Sequence, residues 1–119
     1  MDERKAELKI RTKQYALLVI HLFKELPKSD EHRIIGKQIL RSGTSVAANY
    51  REASRSRSRA EFISKIEICA QEADETQLWI ELLKEGCNVN SKLADEVWKE
   101  SDELISIFVT MSKNAKTNS

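Results

Sequence analysis

A chain of 119 residues is long enough to bury one apolar core without disulfides or a metal, and three Gly, one Pro and abundant helix-favouring residues favour an all-α domain. Its formal net charge of +1 hides an asymmetry: residues 1–60 carry fourteen Lys and Arg against seven Asp and Glu, whereas residues 61–119 carry six against twelve. No apolar run reaches the roughly 20 residues that span a bilayer, and the opening MDERKAELKIR is too charged for a signal peptide, so no membrane association and a cytoplasmic location are expected.

In chain order, the first predicted helix covers about 3–26, where Leu8, Tyr15, Val19, Leu22 and Leu26 recur on one face and Pro27 stops the run. Ala6, Ile10 and Leu17 lie off that face. Ser29 and Asp30 offer capping oxygens to a second helix over about 30–55, whose stripe is Ile35, Ile39, Ser42, Val46, Asn49 and Ala53. Gly36, Gly43, Ala47 and Ala48 leave room for a close neighbour, and Gly43-Thr44 marks a candidate bend. Asn49 reads as a register-setting or backbone-bonded core amide.

Ser58-Arg-Ala-Glu61 has the form of a capping box and opens a third helix over about 58–85. Its stripe is Phe62, Ile66, Cys69, Ala73, Thr76, Ile80 and Leu83, with Gly86 in the expected position just past the end. Asn90 or Ser91 caps a fourth helix over about 91–112, with Leu93, Val97, Leu104, Ile107, Phe108 and Met111 inward; residues 114–119 read as a frayed tail. Four long helices and short connections give a single domain over 1–113, an antiparallel up-down-up-down four-helix bundle.

Chemistry-bearing patterns are sparse. Neither His21 nor His32 follows a Glu by three residues, so the Glu-x-x-His pairs of a di-metal bundle are absent, as are a Gly-rich phosphate loop and a Cys-His or Ser-His nucleophile pattern. Cys69 and Cys87 lack metal or redox spacing. The expectation is a binding protein with no cofactor and no catalytic residue.

Charge placement is more informative. On a helical wheel Arg33, Lys37, Arg41, Arg51 and Arg55 fall within roughly 80°, and only Thr44 and Ala48 separate the two basic groups. Such a stripe expects an anionic partner: either the acidic strip Glu67, Asp74, Glu81 and Glu85, within or between subunits, or the phosphates of RNA or DNA. Arg57 and Arg59 extend it through the helix connection, EASRSRSRAE. On the fourth helix Ala94, Trp98, Ile105 and Val109 widen the apolar arc to about 200°, beyond the roughly 100° that one core contact needs, so they are candidate residues of an oligomer interface together with Glu67, Asp74 and Glu81.

The passage ILRSGTSVAANYREASRSRSRAEFISKIEICAQEADETQLWIELL, Ile39 to Leu83, resembles the four-helix-bundle proteins encoded by intervening sequences in bacterial large-subunit ribosomal RNA genes. It shares with them an Arg-Ser-plus-small-residue helix running into Ala-Asn and Glu-Ala, a serine-rich turn, and then Glu-Ala-x-Glu-Thr-Gln-x-Trp. The resemblance implies a protomer of a ring-like homo-oligomer, a homopentamer. Related bundles serve as accessory factors of diversity-generating retroelements, with a basic surface engaging nucleic acid and a reverse transcriptase; the positions that match such a surface are Lys37, Arg41, Arg51, Arg55, Arg57 and Arg59. Those factors are strongly basic overall, whereas this chain has a sequence pI of 7.8.

Overall fold

The computed structural model describes residues 3–117. It contains α1 (Glu3–Glu25), α2 (Asp30–Ser54), α3 (Arg59–Gly86) and α4 (Lys92–Thr117), with no strand among the described residues. At about 1.5 Å per residue the helices reach roughly 35–42 Å, which sets the long axis of a body measuring 49 × 21 × 20 Å. Each helix packs on the next, α2 against α3 most extensively, and α1 returns to α4 along the least closed seam.

Side-chain partners fix the directions. Val19 lies over Gly43 and Phe23 over Gly36, so α1 and α2 run antiparallel. Ser42 meets Thr76 while Glu52 meets Lys65, and Gln77 meets Asp102 while Glu67 meets Ser112, so α3 reverses against both α2 and α4. The core holds the expected faces of α1 and α3, from Tyr15, Val19 and Leu22 to Ile66, Cys69, Ile80 and Leu83. Tyr50 and Phe108 fill the middle with ring centroids 6.1 Å apart.

A polar layer crosses this core with one hydroxyl from each helix. Ser101 Oγ donates to the Val97 carbonyl at 2.7 Å, which leaves the Tyr15 hydroxyl to donate to Ser101 at 2.6 Å. Thr76 donates to the Glu72 carbonyl at 2.8 Å and accepts from Ser42 at 2.7 Å. Every buried side-chain nitrogen or oxygen among the described residues has a partner. Burial pushes the Tyr15 phenol above its ordinary range and the Cys69 thiol up to about 12.

Several local expectations are corrected. At Gly43 the helix α2 runs unbroken, and the missing side chain admits Val19, whose Cγ2 would sit 2.6 Å from any Cβ placed there. The buried side of α2 is rotated toward α1, through Gly36, Gly43 and Tyr50. Asn49 is therefore only half-buried and not in the core, although it is backbone-bonded as expected: its amide donates to the Ser45 carbonyl and hydroxyl, each at 2.9 Å. Gly86 stays helical while Asn88 takes the left-handed conformation with φ 54°, and the Leu83 carbonyl accepts from both Cys87 and Val89.

Ser29 is the N-cap of α2, but its hydroxyl pairs with His32 Nδ1 instead of a backbone amide. Ser58 caps α3 by accepting from Glu61 N at 3.1 Å, and Ser91 caps α4 by accepting from Ala94 N at 3.2 Å. The expected tail from 114 is helical as far as Thr117, because Glu67 on α3 accepts from Ser112 at 3.2 Å and from Lys116 at 2.6 Å and so holds the last turns; residues 118–119 lie outside the described residues.

Two measurements test this packing. Gly43→Ala should destabilise the protein by about 1–3 kcal/mol in urea melts despite alanine's better helix propensity, and Val19→Ala should recover part of the loss. An unchanged or raised midpoint would show that α1 and α2 are not in close contact there. Because the folded Cys69 thiol ionises near 12 and an unfolded one near about 8.5, its contribution is intact below about pH 8.5 and is lost at up to roughly 1.4 kcal/mol per pH unit as pH climbs toward 12. Cys69→Ala should flatten that alkaline slope relative to the wild type.

Candidate functional site

The sequence stripe Arg33, Lys37, Arg41, Arg51 and Arg55 divides in the folded chain. Arg41 leans onto α3, where it forms ion pairs with Glu72 at 3.2 Å and with Glu75. Its counter-charges come from the same chain, the within-subunit arrangement among the alternatives expected for the stripe. The partners are different acids from the expected strip. Arg33, Lys37, Arg51, Arg55, Arg57 and Arg59 are exposed and form no ion pair with any described residue.

These cations gain company from α1 and the turn that follows it. A cleft of about 380 Å³ on the α1–α2 face has a floor of Ala16, Ala47 and Ala48 and walls that include Lys13 and Arg51. A second cleft of about 370 Å³, by the α1–α2 turn, is lined by Phe23, Leu26 and Pro27 with Lys24, Lys28 and Arg33. Neither is lined by an acid. Lys13, Lys24 and Lys28 were not singled out by wheel analysis of α2 because they belong to another element; the α1–α2 packing brings them to the same face. At the opposite end of α2, Arg55, Arg57 and Arg59 surround the turn that Ser58 and Glu61 cap, while Glu52 is taken up by Lys65 at 3.0 Å. Glu61 accepts from the Arg57 backbone at 3.5 Å.

The α3–α4 side has the opposite character. Ala94 is wholly buried in the protomer core, which removes it from the expected oligomer interface, and Trp98 and Ile105 are partly buried against the same core. Trp98 donates its indole N–H to Glu81 at 2.8 Å, and Gln77 donates to the Trp98 carbonyl and to Asp102, each at 3.2 Å. The Gln77 bonds tie this stretch of α4 to α3, the Trp98 side chain stays at a surface cleft with Glu81, Lys84 and Glu85, and the wide apolar arc of α4 meets α3 on one side and α1 on the other. Glu67 is held below the usual carboxylate range by the Lys116 hydrogen bond. Asp74 and Glu85 are exposed and unpaired among described residues, and Leu78, Leu82 and Val109 are 49%, 41% and 46% exposed.

The α1–α4 seam is bridged by Arg11, which makes a two-pronged bond to Glu100 with both distances 2.7 Å and reaches Glu103 at 3.2 Å. The Glu100 hydrogen bond raises the guanidinium pKa further. A larger cleft of about 810 Å³ at the end formed by the α1–α2 and α3–α4 turns is lined by charges of both signs, among them Glu25, Lys92 and Glu96, with His32 and Cys87. No three His, Cys, Asp or Glu side chains converge in a metal-holding arrangement among the described residues, and no described helix is long and apolar enough to cross a membrane.

The arrangement is therefore suited to binding through charge, with a cation-lined α1–α2 face and an acid-flanked α3–α4 face. No curated protein matches the chain. Among solved structures, a protein of unknown function from the S23 ribosomal protein family of Bacteroides thetaiotaomicron VPI-5482 is similar, with a TM-score of 0.80 and 35% identity, covering 88% of this chain and 97% of that one. Residues 4–110 match the family described as 23S rRNA-intervening sequence protein, and the chain, with the four helices that the sequence motifs imply, belongs to that family.

Proposed function

We propose that this chain is a non-enzymatic, homo-oligomeric bundle protein that binds RNA or DNA, without sequence preference, through its α1–α2 face and the adjoining α2–α3 turn. The observation that carries the reading is a set of exposed cations without an ion pair among the described residues: Lys24, Lys28 and Arg33 in one acid-free cleft, Lys13 and Arg51 in another, Lys37 on α2, and Arg55, Arg57 and Arg59 at the α2–α3 turn. Exposed Lys and Arg side chains neutralise phosphates and release counterions, which supplies affinity but no reading of bases. The Arg41 pairs fit the same division: acids of α3 satisfy the one stripe residue that leans toward them and leave the remainder outward.

Fluorescence anisotropy with two unrelated oligonucleotides tests this. Equal affinities are expected, with log K falling against log salt at roughly 0.7–0.9 per phosphate neutralised. Changing Arg55, Arg57 and Arg59 together to Glu should weaken binding at least about tenfold at low salt while leaving the melting temperature nearly unchanged, since none of the three bears a structural ion pair. Absence of binding at low salt, or an unaffected triple variant, would overturn the reading.

Arg41→Glu is expected to act differently. It sets a third carboxylate beside Glu72 and Glu75 and should lower thermal stability before it alters affinity, which circular dichroism melts will separate.

A further inference from the structure

We infer that the copies associate head to tail, the crest of α3 on one copy seating in the Ala16, Ala47 and Ala48 groove of the α1–α2 face on the next. This names the surfaces of the self-association in the reading above, on which it rests, and does not depend on nucleic-acid binding. Leu78 and Leu82 are one helical turn apart and 49% and 41% exposed, which makes them a pair of apolar knobs on an otherwise polar helix surface. The groove floor is three alanines, so a facing helix can approach closely there. Knobs and floor are thus of complementary size.

The charges agree with the shapes. Asp74 and Glu85 flank the leucine pair and are unpaired among described residues, and Lys13 and Arg51 form the walls of the alanine groove and are likewise unpaired. The packing of the four helices puts the basic half of the sequence in one layer and the acidic half in the other, so one copy's acidic crest meets the next copy's basic groove. Because crest and groove are different patches, the contact is heterologous, and it closes into a ring or continues as a filament. Lys13 and Arg51 are then taken up by the neighbouring copy, which leaves Lys24, Lys28, Arg33, Arg55, Arg57 and Arg59, all outside the groove, to nucleic acid.

The contact is small. A crest of 28 residues offers a strip about 42 Å by about 10 Å, or roughly 400 Å² per copy, half of the roughly 800 Å² of a standard interface. Association should therefore fall on dilution and weaken as salt screens the flanking charges.

Light scattering and sedimentation of the full chain test the inference. In one variant Lys13 and Arg51 become Glu; in another Asp74 and Glu85 become Lys. Each alone should lose mass at a concentration where the wild type is assembled, with self-association weakened at least about tenfold by like charges in the contact. An equimolar mixture of the two should regain mass, because alternating copies set each groove against a crest of opposite sign, at every contact of a filament or an even ring and at all but one of an odd ring, a rescue that misfolded chains cannot give. Wild type that is oligomeric while both variants keep full mass overturns this interface alone, and so does a mixture that stays dissociated. Wild type that is monomeric at high micromolar concentration overturns the self-association reading as well.

Discussion

The buried hydroxyl layer of Tyr15, Ser42, Thr76 and Ser101 is the constraint on which the rest of the bundle turns. Apolar stripes alone tolerate rotation and sliding, since one Leu-rich face packs nearly as well a turn further along. A buried hydroxyl without a partner costs about 1–3 kcal/mol, so a slip of α1 or α4 strands the Tyr15 hydroxyl, and a slip of α2 or α3 leaves Ser42 only its long 3.5 Å contact with the Ile39 carbonyl. The layer takes one residue from each helix and so sets rotation and height together. Close approach at Gly43 then seats α1 on α2, and the Tyr50 and Phe108 rings occupy the space between the diagonal helices.

Once rotation is set, the fate of each charge follows. Acids on the α2 side of α3 meet Arg41, those on its α4 side meet Lys116, Ser112 and the Trp98 indole, and Glu100 and Glu103 meet Arg11 across the seam. What lines the two α1–α2 clefts is basic, while Glu7, Glu25, Asp30 and Glu31 stay exposed elsewhere on those helices, and the crest of α3 carries Asp74 and Glu85 beside two half-exposed leucines. A nearly neutral protein thereby presents two oppositely charged surfaces, and its net charge says little about what either surface can hold.

The sequence was legible where a single helix decides the outcome. The faces of α1 and α3 follow from spacing alone, and the Ser58 cap follows from its motif, because each depends on residues within a few turns. Legibility failed where the neighbour decides. In α2 a wheel cannot tell that the stripe tilts toward α1, so it enlisted half-exposed Asn49 and overlooked Tyr50. It placed Arg41 on the correct arc, yet a long side chain at the edge of that arc reaches acids on another helix. The wide apolar arc of α4 was visible too, but most of it serves two neighbours within the protomer, with Ala94 completely enclosed. The basic face was half legible: α2 showed its cations, and α1 with the turn after it supplied Lys13, Lys24 and Lys28 only once the two helices were side by side.

The alternating helix directions place the start of α1, the α2–α3 turn and the end of α4 together at one end of the body, where Lys5 lies 5.4 Å from the Phe62 ring centre and Lys116 reaches Glu67. Whatever polypeptide is joined before α1 or after α4 therefore emerges beside Arg55, Arg57 and Arg59. An acidic extension at either junction would act as a tethered competitor at high local concentration, and an affinity tag there would shade the arginines it sits next to. At the opposite end the α1–α2 turn carries Lys24, Lys28 and Arg33, so the α3–α4 turn is the place to attach a reporter away from both basic groups.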